Sequence, residues 1–211
     1  MTRQYPVLDR FYPIVPDAAW MERLAPLGIK TVQLRAKDME LPRLRDEVDC
    51  CLALARRHSF QVIVNDYWEI AIDASADFIH LGQEDLASAD TAAIRRAGLR
   101  IGISTHDESE LDAALAADPD YVALGPIYET KLKAMAWAPQ GLTRIKVWRA
   151  KLGDIPLVAI GGITPELAPG VIAAGADCVA VITDFITHPS PEARVAHWVA
   201  WSAGDVRSSG R

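Results

Sequence analysis

Val62-Ile63-Val64-Asn65-Asp66 is a β-branched apolar run that stops at an amide and a carboxylate. A run of this length and composition reads as a buried strand, with its polar end at the rim of the core it enters. The same construction recurs along the chain. Phe11-Tyr12-Pro13-Ile14-Val15 and Thr31-Val32-Gln33-Leu34-Arg35 precede it. Phe78-Ile79-His80-Leu81, Arg100-Ile101-Gly102-Ile103-Ser104, Tyr121-Val122-Ala123-Leu124-Gly125, Leu157-Val158-Ala159-Ile160 and Cys178-Val179-Ala180-Val181-Ile182 follow it. Only the first is weakened, because Pro13 removes a ladder donor.

Helical patterns fill the gaps between these runs. Trp20, Leu24 and Leu27 share a face that stops at Gly28, and Leu44, Val48, Leu52 and Ala55 form the stripe of a long helix over 41–57. Shorter helices are expected over 68–74, 91–97, 107–117, 142–152, 165–174 and 191–201, with Gly82-Gln83-Glu84-Asp85 as a loop. Eight strand–helix alternations with short connections predict an α/β fold, a single (β/α)8 TIM barrel over 1–203, with a flexible tail from 204. An open doubly wound sheet is the alternative, and the missing Gly-x-Gly-x-x-Gly argues against its dinucleotide-binding form.

The totals bound the function. The chain has 211 residues, half of them hydrophobic, and a net charge of −6. No Lys/Arg stripe suggests nucleic acid, no apolar run is long enough to span a bilayer, and the first residues lack a secretory pattern. Three cysteines without C-x-x-C read as thiols of a reducing cytoplasm.

A barrel of this kind places its active site at the C-terminal ends of its strands. Those ends carry Gln33, Arg35, Lys37, Asn65, Asp66, Gln83, Asp85, Ser104, Thr130, Lys133, Gly161-Gly162 and Thr183. Two carboxylates on neighbouring strands suit Mg2+, which takes one or two of them together with substrate phosphate oxygens. Arg35, Lys37 and Lys133 suit a polyanion. Gly161-Gly162 with Thr183 suits the separate phosphate site that barrels build after strands seven and eight. The plainer readings are an Asp66–Arg35 structural ion pair, a tight Gly-Gly turn, structural roles for His80 and His106, and packing for Trp137, Trp148, Trp198 and Trp201. Ser104 lacks a G-x-S-x-G elbow and is no hydrolase nucleophile.

VQLRAKD (32–38), VNDY (64–67), HLGQEDL (80–86), GIST (102–105), ALGPIYETKLK (123–133), AIGGIT (159–164) and AVIT (180–183) together make the chain resemble the thiamine-phosphate synthase family from Tyr12 to about Trp201. The resemblance implies joining of 4-amino-2-methyl-5-hydroxymethylpyrimidine diphosphate to a thiazole phosphate. By position, Gln33, Leu34, Arg35, Ala36, Lys37 and Asn65 would hold the pyrimidine diphosphate and Ser104 the pyrimidine. Arg35, Lys37 and Lys133 would act on the leaving diphosphate, and Asp66 and Asp85 would bind Mg2+. Thr130, Lys131, Leu132, Gly162, Ile182 and Thr183 would receive the thiazole phosphate. The chain departs from the family pattern at Tyr67, where an Arg is usual, in the Glu129–Lys133 loop, and at Ile182-Thr183, where Val-Ser is usual. A thiazole tautomerase and a non-catalytic phosphate-binding barrel are the competing readings. The expected partners are two small-molecule substrates, with no nucleic acid and no membrane. A homodimer is left open, and the loop over 126–141 is long enough to serve as a lid.

Overall fold

The computed structural model describes residues 4–37, 39–130 and 137–204. Eight parallel strands close into a barrel in sequence order: β1 Phe11–Val15, β2 Thr31–Leu34, β3 Gln61–Asn65, β4 Phe78–Leu81, β5 Arg100–Thr105, β6 Tyr121–Leu124, β7 Leu157–Ile160 and β8 Cys178–Val181. Closure is made by β1 against β8, with Phe11 opposite Val179 and Pro13 opposite Val181. Pro13 therefore sits inside a closed barrel, in the first strand, as the sequence pattern had allowed.

Around the barrel run α1 Ala18–Leu24, α2 Leu41–His58, α3 Trp68–Asp73, α4 Gln83–Ser88, α5 Thr91–Arg96, α6 Glu108–Ala116, α7 Gly141–Leu152, α8 Ala168–Ala173, α9 Thr183–Ile186 and α10 Pro191–Gly204, with a 3-10 turn at Ala25–Leu27. Local chemistry sets several starts. Asp17, Asp90 and Asp107 cap α1, α5 and α6 by accepting from the backbone N–H three residues on. Two short helices were not anticipated. The stretch expected to be a loop at Gly82–Asp85 opens α4, because Gly82 O accepts from Leu86 N and starts a helical turn. The chain after β8 likewise turns at once into α9. α8 begins three residues later than the pattern suggested, after turns in which Thr164 O accepts from Leu167 and Ala168. α10 takes in Gly204, where the tail was expected to begin, and 205–211 lie outside the described residues.

Two apolar layers result. The larger lies between strands and helices and includes the fully buried Trp148 and Trp198. The smaller fills the barrel itself, with Tyr12, Ile14, Ile63, Phe78, Tyr121, Ala123, Val158, Cys178 and Ala180. Alternation along the strands turns the next inward positions toward the mouth. On β2 to β5 these are Gln33, Asn65, His80 and Ser104, the first three buried and Ser104 half-buried.

Candidate active site

β3 ends in a sharp turn. Asp66 has a left-handed backbone, φ +70°, where its amide donates to His80 O at 2.9 Å and its carbonyl accepts from Trp68 N at 2.8 Å. A non-glycine residue held there stores backbone strain of a kind that gathers at functional positions, and Asp is among the residues that tolerate it. The turn brings the Asp66 carboxylate to the rim, where Lys37 Nζ donates to it at 2.5 Å. Asp66 thus pairs with Lys37, and the Asp66–Arg35 ion pair weighed from the sequence does not form.

Asp85, in the first turn of α4, folds back so that its Oδ2 lies 3.2 Å from where a side chain at Gly82 would begin. Burial pushes its carboxyl above the ordinary range, and the neighbouring Asp66 adds to the shift, while Lys37 opposes it. The two carboxylates repel at close quarters, and a divalent cation between them would remove that cost. Among the described residues no group of three or more His, Cys, Asp or Glu could hold a metal. Two carboxylates are nonetheless the number Mg2+ takes from protein when substrate oxygens complete its shell. Lys37, Asp66, Tyr67, Trp68, Glu69, Asp85 and Ser88 line a cavity of about 270 Å³ over this pair.

Below the rim the polar interior is tied together. His80 Nε2 is 2.8 Å from Ser104 Oγ, and its Nδ1 is 2.9 Å from Tyr121 Oη. Tyr121 reaches across Gly102, where a Cβ would meet its ring at 1.9 Å. Burial drives the His80 pKa down to about 4, so the ring is neutral and one nitrogen accepts while the other donates. Gln33, 2% exposed, keeps a side-chain NH2 with no hydrogen-bond partner among the described residues. A buried donor left this way is poised for a ligand. Arg35 is exposed at the mouth; Leu34 and Ala36 are buried, and Arg35 N donates to Val15 O at 2.8 Å. Gln83 serves the scaffold, donating to Ser104 O at 2.6 Å.

Across the mouth, the described rim is mainly backbone. Ile127 N and Tyr128 N donate to Ile160 O and Gly161 O at 2.9 and 3.0 Å, so the chain after β6 runs along the end of β7. A Cβ at Gly162, φ +65°, would lie 2.3 Å from Glu129 O. Gly-Gly is thus more than a turn, since only glycine lets the two backbones approach so closely. Ile160 pairs with Ala180, so Gly162 and the Ile182-Thr183 pair follow the ends of neighbouring strands, and Thr130 is half-buried. Lys131, Leu132 and Lys133 lie outside the described residues, and with them the middle of the expected lid. Past that gap, Trp137 is 37% exposed and stacks on His106 at 5.3 Å, while Gln140 donates to His106 O. Trp137 was read from the sequence as a packing residue; it packs on His106 at the mouth and stays exposed.

The sequence reading missed the Tyr121–His80–Ser104 chain and a cluster of Arg194, Asp184 and Glu166 behind the β7–β8 rim. Arg194 lies on the helix face that buries Val195 and Trp198, and a charge on such a face was a readable sign of a buried partner.

A family model described as thiamine monophosphate synthase matches residues 5–185. A thiamine-phosphate synthase from Rhizobium etli is 59% identical over 196 residues, 93% of this chain and 96% of the relative. One from Klebsiella pneumoniae is 49% identical over 172 residues, 82% of each. Among solved structures, thiamine phosphate pyrophosphorylase from Pyrococcus furiosus shares the fold with a TM-score of 0.80 at 22% identity, covering 92% of this chain and 96% of that one. The chain belongs to the thiamine monophosphate synthase family.

Proposed function

We propose that the protein is a Mg2+-dependent thiamine-phosphate synthase. It would join 4-amino-2-methyl-5-(diphosphooxymethyl)pyrimidine to a thiazole phosphate and release diphosphate. The observation that carries this reading is the meeting of Lys37, Asp66 and Asp85 over one cavity, at the mouth of a barrel whose opposite rim is glycine-lined.

In the reaction the C–O bond at the pyrimidine methylene breaks, with its electron pair leaving on diphosphate. The lone pair of the thiazole nitrogen then forms the new C–N bond. Mg2+, held by Asp66 and Asp85, would supply charge neutralisation for the diphosphate. Arg35 and Lys37 hold the diphosphate at the exposed rim, with Lys133 joining them on the evidence of the sequence motif, and their charge favours its departure. Gln33, whose NH2 has no partner among the described residues, and Asn65 orient the pyrimidine side. Ser104 meets the ring with its hydroxyl fixed by neutral His80. Thr130, Gly162, Ile182 and Thr183 receive the thiazole phosphate, with Lys131 and Leu132 assigned to it by motif position. No protein nucleophile is required; catalysis is positioning plus electrostatics.

The tautomerase reading has no use for paired carboxylates beside a lysine, which weighs against it. No helix among the described residues is long and apolar enough to cross a membrane. We place the protein in the cytoplasm, with small molecules as its partners and a homodimer left open as its oligomeric state. The test is turnover with each substrate alone and with both, in Mg2+ and in chelator. A synthase makes thiamine phosphate only from both with Mg2+. Conversion of a thiazole carboxylate phosphate in chelator would identify a tautomerase, and binding without turnover a non-catalytic barrel.

A further inference from the structure

Behind the glycine-lined rim, α10 supplies a single guanidinium to two loops. Arg194 donates through Nε to Asp184 Oδ2 and through Nη2 to Asp184 Oδ1, both at 2.8 Å. The same side chain donates through Nη1 and Nη2 to the two oxygens of Glu166 at 3.3 Å. Asp184 directly follows Thr183 after β8, and Glu166 stands four residues beyond Gly162 after β7. Arg194 therefore spans the two loops that carry opposite sides of the monophosphate cradle.

The clamp is itself anchored. Trp198 Nε1 donates to Asp184 Oδ2 at 2.7 Å, and the Trp198 ring stacks on Phe11 of β1 at 5.0 Å with an interplanar angle of 5°. The Arg194 and Asp184 side chains are 16% and 11% exposed, whereas Glu166 is 64% exposed. The Asp184 pair is thus the shielded arm and the Glu166 pair the solvated one, so the first is the stronger. Hydrogen bonds from the Thr164 hydroxyl, its own backbone and Arg194 hold the Glu166 carboxyl down to about 2, so it is ionised throughout the neutral range. With two carboxylates on one guanidinium, the cluster carries no spare positive charge for a phosphate. Its effect on a bound anion runs through geometry.

We propose that Arg194 is a positioning residue for the thiazole phosphate, clamping the β7 and β8 loops so that Gly162 and Thr183 stay at the spacing a phosphate needs. The proposal rests on the reading of those two residues as the thiazole-phosphate subsite. A guanidinium is suited to this role because its planar fork can engage two carboxylates at once, which a lysine ammonium cannot do with the same geometry.

The test is calorimetric binding of the thiazole phosphate, and separately of the pyrimidine diphosphate with Mg2+, to the full chain and to two variants. Arg194→Lys keeps the charge and loses the span; Glu166→Gln removes only the exposed arm at a surface position. The thiazole phosphate should bind roughly tenfold more weakly to Arg194→Lys and about threefold more weakly to Glu166→Gln, with pyrimidine diphosphate affinity within about twofold of wild type. Equal weakening of both ligands, or unchanged thiazole phosphate affinity in Arg194→Lys, overturns the proposal. If Arg194→Lys does not fold, Glu166→Gln decides in the same way. A wild-type chain that binds thiazole phosphate but makes no thiamine phosphate contradicts the activity and leaves the clamp to these affinities. One that binds no thiazole phosphate contradicts both.

Discussion

Among the described residues, the β2–β5 side of the mouth is built from long polar and charged side chains, and the β6–β8 side mainly from backbone. On the first, Lys37 meets Asp66, burial and Asp66 push the Asp85 carboxyl above its ordinary range, and the Gln33 NH2 has no hydrogen-bond partner among the described residues. On the second, Gly161 and Gly162 lie so close to 126–129 that no side chain fits, and the Arg194 guanidinium behind them is taken up by Asp184 and Glu166. The difference matches the two anions assigned to them. A diphosphate that must leave calls for mobile countercharge, whereas a monophosphate that serves only as a handle calls for a rigid cradle.

Substitutions should separate the two halves. The largest effect is expected from Asp66→Ala, which removes half of the carboxylate pair and the partner of Lys37. Steady-state turnover should fall by roughly 10²–10³-fold, with thiazole phosphate binding nearly unchanged. Equal loss of both would erase the division between the halves. Gly162→Ala comes next, since its Cβ would lie 2.3 Å from Glu129 O in a left-handed backbone. It should cost about 2 kcal/mol in denaturant unfolding and raise the KM for thiazole phosphate roughly tenfold, with that for pyrimidine diphosphate little altered. A neutral result in both assays would mean that the rim is not rigid.

Acid should act on the β2–β5 half through its interior. His80 protonates near 6.5 when exposed but only at about 4 in the fold. Its folded value is lowered, so the unfolded chain takes up the proton first. His80's contribution is whole above pH 6.5 and is lost as pH falls through the window down to about 4. The loss amounts to about 3 kcal/mol, measurable as a slope of unfolding free energy against pH that His80→Gln flattens. An unchanged slope in that variant would remove His80 as the cause. The smallest effect is expected from Tyr67→Arg, which adds a positive charge to the cavity wall. Diphosphate should bind about twofold tighter, and the gain should fade with added salt.

The barrel was legible because its strands are short apolar runs alternating with helical patterns, and because several of them, β3 most plainly, run into polar residues at their ends. The Lys37, Asp66 and Asp85 cluster was legible for the same reason, since strand order sets which rims are neighbours. The identity of the Asp66 partner was not: the sequence offers both Arg35 and Lys37, and only the left-handed turn at Asp66 decides for Lys37. α4 was read as a loop because a six-residue helix with no buried residue has no apolar stripe to see. The Tyr121–His80–Ser104 chain and the Arg194 clamp join residues 24, 41, 10 and 28 positions apart, pairings that depend on barrel register and helix docking. Local patterns do not name such partners, even where, as with Arg194 on the buried face of α10, they signal that one exists.

On the proposed reading, Asp66 and Asp85 jointly hold the cation that binds the departing diphosphate. Calorimetric titration of diphosphate into the chain with Mg2+ and with chelator tests it most directly. Binding that requires Mg2+ in the wild type and is lost in Asp66→Ala is the predicted result; diphosphate that binds equally well in chelator would contradict it.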